Sequence, residues 1–305
     1  MKAIRIHDYG NADVLRYEDA PMPEPGPDEV LIKIHGAGVN PVEWKIRNGM
    51  MRQARPVKFP AILGSDAAGI VERVGPVVTR VRPGDAVVAR VDGSYAEYAV
   101  VKTDAVGRAA KSIPLAHVAA LPIAAGTAWT TLFESARLVK GARILVHGGA
   151  GGVGTFAIQL AKLAGYHVIA TTSAGNRALV QSLGADEVID YRAEDVSRAV
   201  KDVELAFDTV GGATMKGLFA VVKKGGQLLS IVSPPDEALA KEHGIDARFV
   251  RSNVTGTRLE EICGLIDAGK VKVVIEREFP LAEAKAALAL SEAGHVHGKI
   301  VLRVA

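Results

Sequence analysis

Cysteine is all but missing from this chain. Cys263 stands alone among 305 residues, so no intrachain disulfide can staple the fold. A chain of this length can bury a core without one. Long apolar runs are missing as well. No stretch reaches the roughly 20 residues that cross a bilayer. The start, Met1-Lys2-Ala3-Ile4-Arg5, alternates polar and apolar residues where a secretory leader would carry a hydrophobic region. No membrane partner is expected, and a cytoplasmic protein is. Aromatic residues make up only 5% and the formal net charge is only +3. The cations are scattered rather than gathered into a basic stripe with interleaved aromatics, so nucleic acid is not an expected partner. Repeats and low-complexity tracts are absent, and the proline-rich segment 21–27 is too short for a linker. What is present, 49% hydrophobic and 23% charged residues, fits one large or two medium globular domains.

The period of the apolar residues changes along the chain. The first third holds short strand patterns at Val30 to Ile34, Gly69 to Val74, Ala86 to Arg90 and Tyr95 to Val101, divided by turns such as Gly75-Pro76 and Pro83-Gly84. Short strands between turn signals predict a compact β-barrel or sandwich. From residue 144 onward, strands alternate with helices, which predicts a parallel sheet with right-handed crossovers. The predicted strands there are Ile144 to Val146, His167 to Thr171, Glu187 to Asp190, Glu204 to Asp208 and Gln227 to Val232. The tail reads as helix Leu259 to Ala268, strand Val271 to Glu276, helix Ala282 to Glu292 and strand Lys299 to Val304. It lies outside the alternating pattern and is expected to return to the first domain.

The most informative run is Gly148-Gly149-Ala150-Gly151-Gly152-Val153-Gly154, between an apolar strand and a helical pattern. Gly149, Gly151 and Gly154 have the spacing of a dinucleotide-binding fingerprint. One glycine permits the tight turn, one lets the backbone approach a pyrophosphate, and one lets helix and strand pack closely. The helix N-terminus then offers unpaired N–H groups to the anion. The residues further on indicate which dinucleotide. An NAD site places an acid at the end of the second strand, where it binds the ribose 2′-OH. This chain has Thr171-Thr172-Ser173 there. Thr172 and Ser173 leave room for a 2′-phosphate, Arg177 can supply a charged fork, and Tyr191 a phenolic donor. NADPH is the expected cofactor.

With these residues in place, a resemblance becomes visible. The glycine run, with Leu121-Pro122-Ile123-Ala124-Ala125-Gly126-Thr127-Ala128 ahead of it, resembles the medium-chain dehydrogenase/reductase superfamily. So do Val39-Asn40-Pro41-Val42-Glu43-Trp44-Lys45, Gly64-Ser65-Asp66-Ala67-Ala68-Gly69 and His297-Gly298-Lys299-Ile300-Val301-Leu302. The likeness covers essentially the whole chain and is greatest to zinc-free quinone oxidoreductases and 2-alkenal (enone) reductases. It implies an α/β protein with a GroES-like β-rich catalytic domain (1–114 and 255–305) and a Rossmann doubly wound parallel-sheet domain (115–254). The active site would lie in the cleft between them, and a homodimer or homotetramer is implied.

The zinc-dependent branch carries a cysteine where this chain has Asn40, and a His-Glu pair where it has Ser65-Asp66. Zinc needs several cysteine, histidine or carboxylate ligands, and only Asp66 qualifies, so no metal is expected. Carbonyl reduction then lacks a Lewis acid, whereas hydride addition to a conjugated C=C bond or a quinone needs less help. The resemblance implies that Asn40 and Lys45 line the catalytic site and that Lys45 contacts both cofactor and substrate. It gives Thr127 a contact to the nicotinamide ribose, and Gly152 and Val153 backbone contacts to the pyrophosphate. Val210, Ser230, Ile231 and Val232 would lie along the ribose and nicotinamide, and Gly298 and Lys299 would touch the cofactor. The alternatives are an exposed helix position for Lys45, a helix cap for Thr127, a solvated helix position for Arg177, packing for Tyr191, and plain strand packing for Val210, Ser230, Ile231 and Val232. Two other functions stay open: an enoyl-thioester reductase, and a crystallin-like protein that binds NADPH without turnover.

Overall fold

A computed structural model describes residues 1–305. The chain divides into two compact units. Unit one comprises Met1–Ile123, Val254–Gly269 and Ile275–Ala305; unit two comprises Ala124–Asn253 and Lys270–Val274.

Unit one is built on antiparallel strands. β1 (Lys2–Ile6) lies between β2 (Arg16–Asp19) and β4 (Ala61–Ile62) in a small sheet. The larger sheet is ordered around β3 (Glu29–Val39), β5 (Asp66–Val74), β6 (Ala86–Arg90) and β8 (Val106–Arg108), with β7 (Tyr98–Lys102) also pairing β3. Val30, Ile32 and Ile34 alternate along β3 and pack with Val71, Val87, Val101 and Val106 in a buried cluster, as a period of two requires. Each such side chain stabilises the unit by roughly 1.5–3 kcal/mol. β15 (Ile275–Pro280) and β16 (Lys299–Arg303) complete this sheet, β16 pairing antiparallel with β3. These two strands of the tail belong to unit one, whereas Lys270–Val274 belong to unit two.

Residues 115–123 fall in unit one rather than with the dinucleotide domain. The reason lies in β3. A Cβ on Gly36 would run into the backbone of Ala116, and one on Gly38 into the carbonyl oxygen of Ala119. These two glycines let the helix Leu115–Val118 lie directly on the strand.

Unit two is a six-stranded sheet, parallel throughout. Its strands are β9 (Arg143–His147), β10 (His167–Thr172), β11 (Glu187–Asp190), β12 (Val203–Asp208), β13 (Val222–Ser230) and β14 (Asp246–Phe249), in the order β11-β10-β9-β12-β13-β14. The strand order reverses between β9 and β12, which makes the carboxyl ends of these two strands the place where a doubly wound sheet binds its ligand. One face is covered by Leu145, Ile169, Ala206, Leu218, Phe219 and Leu228, all buried. β13 ends at Ser230, so Ile231 and Val232 lie just past the strand in which the sequence pattern had put them.

Candidate functional site

The glycine run occupies the turn between β9 and the helix Gly152–Leu163. Gly148 makes the turn, with φ +87°. A Cβ there would meet Thr209 Oγ1 at 2.6 Å and Val210 Cγ2 at 2.8 Å. Gly149 donates its N–H to the Thr171 carbonyl at 2.9 Å. A Cβ on Gly149 would press on the Ala170 methyl at 2.9 Å, and one on Gly154 would strike the Gly148 carbonyl oxygen. These two glycines therefore serve close packing. Gly151 differs: the nearest atom to a Cβ there is 3.4 Å away. Its outer side is open. It is also the N-cap residue of the helix and supplies no side-chain cap. The N–H groups of Gly152 and Val153 thus open on a clear space at the positive end of a helix dipole, which suits a pyrophosphate.

Beside this cradle lies the end of β10. Thr172 is buried and Ser173 half-buried. Thr172 is in register with Asp190 of β11, and its carbonyl accepts the Tyr191 N–H at 3.2 Å. Tyr191 is 46% exposed. Asn176 Nδ2 donates to Ser173 Oγ at 3.2 Å, and Arg177 starts the next helix, exposed and without an ion pair. The structure adds a residue that the sequence did not single out. The Arg192 guanidinium lies 5.8 Å from the Tyr191 ring centre, and the backbone N–H of Arg192 donates to Asp190 Oδ1 at 3.0 Å. The signal was there in the Tyr191-Arg192 pair just past the third strand. The end of β10 thus carries two hydroxyls, with a phenol and a cation just past the neighbouring strand β11 and the exposed Arg177 four residues after Ser173. The acid nearest to hand, Asp190, is spent on the Arg192 backbone.

Unit one holds a buried polar cluster around Asn40, the residue before the helix Pro41–Arg47. The Asn40 N–H donates to Glu43 Oε2 at 2.6 Å. Its side-chain Nδ2 donates to Asp66 Oδ2 at 2.9 Å and to Glu43 Oε1 at 3.4 Å. Asn40 Oδ1 accepts a short hydrogen bond from the Lys299 ammonium, which also donates to the Val39 carbonyl at 3.0 Å and lies 3.8 Å from Asp66. Asp66 Oδ1 accepts the Ile123 N–H at 3.0 Å. Asn40, Glu43, Asp66 and Lys299 are each no more than 3% exposed. Burial pushes the Glu43 carboxyl up to about 7, with the charge of Asp66 adding to the effect. Burial likewise raises Asp66 and lowers Lys299. Both donor hydrogens of the Asn40 amide are used inside this cluster, so Asn40 here orders its surroundings. Lys45, by contrast, is half-buried, its ammonium 5.5 Å from the Trp44 ring centre.

Comparison with known proteins agrees with this layout. Residues 26–111 match the family described as alcohol dehydrogenase GroES-like domain, and residues 183–302 that described as zinc-binding dehydrogenase. The mitochondrial NAD(P)H oxidoreductase RTN4IP1 of Danio rerio is 33% identical over all of this chain and 91% of its own. The chain belongs to the medium-chain dehydrogenase/reductase family. The 2-methylene-furan-3-one reductase of Solanum lycopersicum is 37% identical over 99% of this chain and 79% of its own. The quinone oxidoreductase of Escherichia coli, solved with NADPH, covers the whole of both chains at a TM-score of 0.90 and 26% identity. The activity is that of an NAD(P)H-dependent oxidoreductase.

In this member of the dehydrogenase/reductase family, the remaining expected contacts fall into two kinds. Val210 is 47% exposed at the end of β12. Its N–H, that of Gly211 and the Ser230 hydroxyl all donate to the buried Asp208 carboxylate, at 3.0, 2.9 and 2.8 Å. Ile231 donates its N–H to the Asp208 carbonyl at 3.1 Å, and Val232 to Ser230 Oγ at 3.2 Å. The sequence pattern marked Ser230 as a contact and gave no sign of Asp208. The pair instead ties the ends of β12 and β13 together, leaving the half-buried Ile231 and Val232 and the exposed Val210 as the apolar surface. Thr127 is buried, and its carbonyl accepts the Thr131 hydroxyl at 2.9 Å. In unit one, Gly298 turns the chain into β16 with φ +71°, and the Lys299 ammonium is committed to the cluster around Asn40.

Proposed function

We propose that this protein uses NADPH to reduce quinones or the C=C bond of α,β-unsaturated carbonyls, without zinc. The observation that carries the cofactor choice is the Thr172-Ser173 pair flanked by Arg177, Tyr191 and Arg192, beside an open, uncapped helix N-terminus. Backbone N–H groups at 152–153 take the pyrophosphate, and the cationic corner takes the 2′-phosphate. Bound NADPH supplies the hydride. The apolar residues Val210, Ile231 and Val232 shield the ring edge from water, while the Asp208–Ser230 hydrogen bond holds their backbone in place. Lys45 is the donor assigned to the substrate oxygen.

The donor set supports chemistry without zinc. At the positions where the zinc branch has its ligands, this chain offers an amide, a hydroxyl and one carboxylate. An ammonium already hydrogen-bonds to that amide and sits beside that carboxylate. A divalent ion does not fit against a buried positive charge and neutral donors. The names of two relatives, a quinone oxidoreductase and a 2-methylene-furan-3-one reductase, support conjugated acceptors.

The test compares NADPH consumption with a short alkenal, a naphthoquinone, a saturated aldehyde and the CoA thioester of the same unsaturated acyl chain. Turnover of the alkenal or quinone with none of the aldehyde is the expected result. A preference for the thioester would assign an enoyl-thioester reductase instead. No turnover with any acceptor would leave a protein that binds NADPH without using it.

A further inference from the structure

His147 is the last residue of β9, the strand that feeds the glycine turn, and it is only 4% exposed. Both ring nitrogens have hydroxyl partners: Nδ1 lies 2.9 Å from Thr171 Oγ1, and Nε2 lies 3.1 Å from Thr214 Oγ1. The other bond of Thr214 and the burial of the ring together fix the direction of each contact. Thr214 gives its one hydroxyl hydrogen to the Gly211 carbonyl at 2.8 Å, so it accepts from His147 Nε2–H. Thr171 Oγ1 accepts the Gly148 N–H at 3.0 Å; burial disfavours a second proton on the ring, so Nδ1 is bare and Thr171 gives it its own hydrogen. The imidazole is therefore neutral, with the proton on Nε2. Burial lowers its basicity and works the same way, against a partial pull from Asp208. The His147 carbonyl accepts from Thr209 as well, through both its N–H and its hydroxyl.

One unbroken chain of donors thus runs from the Gly148 N–H through Thr171, His147 and Thr214 to the Gly211 carbonyl. Gly148 begins the pyrophosphate turn. Gly211 follows Val210 at the end of β12. The two loops flank the point where the strand order reverses.

We infer that His147 is a positioning residue for the dinucleotide. Its neutral ring sets the spacing between the glycine turn and the 209–211 loop, and so the shape of the cradle before any cofactor arrives. This rests on the dinucleotide-binding reading of unit two and adds a residue to it that touches no cofactor. Because the network is preformed, its loss falls on cofactor affinity and not on the chemical step.

The test uses the full-length protein with NADPH as the probe. Dissociation constants come from calorimetry, melting temperatures from the free protein, and ring protonation from nitrogen NMR of labelled histidine. His147→Phe is expected to weaken NADPH binding about tenfold or more, one buried hydrogen-bonded unit's worth, and to raise KM for NADPH while kcat at saturating NADPH is kept. His147→Asn keeps an acceptor toward Thr171, and His147→Gln keeps a donor toward Thr214; each is expected to recover part of the affinity. Thr214→Val removes a single hydroxyl and decides the matter if His147→Phe does not fold. The NMR signature expected is an unprotonated Nδ1 with a protonated Nε2. NADPH affinity unchanged in Thr214→Val and in His147→Phe, with only the melting temperature lowered, would overturn the inference. So would a doubly protonated ring at neutral pH. Failure of the parent protein itself to bind NADPH would instead defeat the dinucleotide reading beneath it.

Discussion

Lys299 and Glu43 show how much a single side chain can differ from its position in the sequence pattern. The motif around Lys299 pointed to a cofactor contact, yet its ammonium is buried against Asn40, Val39 and Asp66. Nothing in the spacing of residues 40, 43, 66 and 299 announces that they meet, because three separate elements bring them together. The consequence is a measurable titration. The folded protein keeps a proton on Glu43 up to about pH 7, whereas the unfolded chain releases it near 4.5. Between those values the native state binds more protons, so this group's contribution to stability falls as pH rises through that window. Glu43→Gln removes the titration and still accepts the Asn40 N–H. Relative to the parent, the variant is expected to gain stability between pH 4.5 and 7. The gain reaches up to about 3 kcal/mol, since each tenfold change in proton affinity is worth roughly 1.4 kcal/mol. Denaturant unfolding at several pH values measures it; parallel curves would show that the carboxyl ionises normally. The cationic corner makes a second prediction at this scale. Arg192→Ala and Arg177→Ala are each expected to weaken NADPH binding by about 1.5–3 kcal/mol, the range for a charged hydrogen bond, and to leave NADH binding unchanged. Equal losses for both dinucleotides would remove the arginines from the 2′-phosphate.

The element that was most legible is the strand, glycine turn and helix at 143–163, because each glycine answers a separate steric demand within a few residues. Gly154→Ala puts a methyl against the Gly148 carbonyl and is expected to destabilise the fold and abolish dinucleotide binding. Gly151→Ala meets no atom closer than 3.4 Å. It is expected to leave the melting temperature of the free protein unchanged while weakening NADPH binding, since its methyl fills space meant for the ligand. The reverse ranking in thermal melting and calorimetry would mean that the two glycines have been assigned the wrong roles. Elements farther from this motif were harder to read. The sequence predicts a strand over 271–276, but the strand forms at Ile275–Pro280. Residues 270–274 belong to unit two, where the Gln159 side chain holds the Lys272 backbone by two bonds, of 2.7 and 3.0 Å. The helix Glu237–His243 lies in the stretch 233–246, which carries Pro234-Pro235 and reads as loop, and β14 follows it with no strand expected there. Both exist because β14 adds to the open edge of β13, a tertiary reward that local propensity does not contain.

At the scale of the whole molecule, the period change near residue 144 marks where an antiparallel β-rich pattern gives way to strand–helix alternation, and the protein holds both an antiparallel sheet and a parallel one. The tail does not continue the alternation, and unit one is discontinuous, with residues 270–274 left in unit two. The residues absent from the chain were equally informative: no acid at the end of β10, and no cysteine or histidine at 40 and 65. Together they support the proposed NADPH-dependent reductase acting without zinc. The most direct test is NADPH-dependent reduction of an enone or quinone by protein treated with a strong chelator and shown by elemental analysis to be free of zinc. Turnover within about twofold of the untreated protein is expected, because no Lewis acid is needed for a conjugated acceptor. Activity lost with the metal and restored by added zinc would contradict the account.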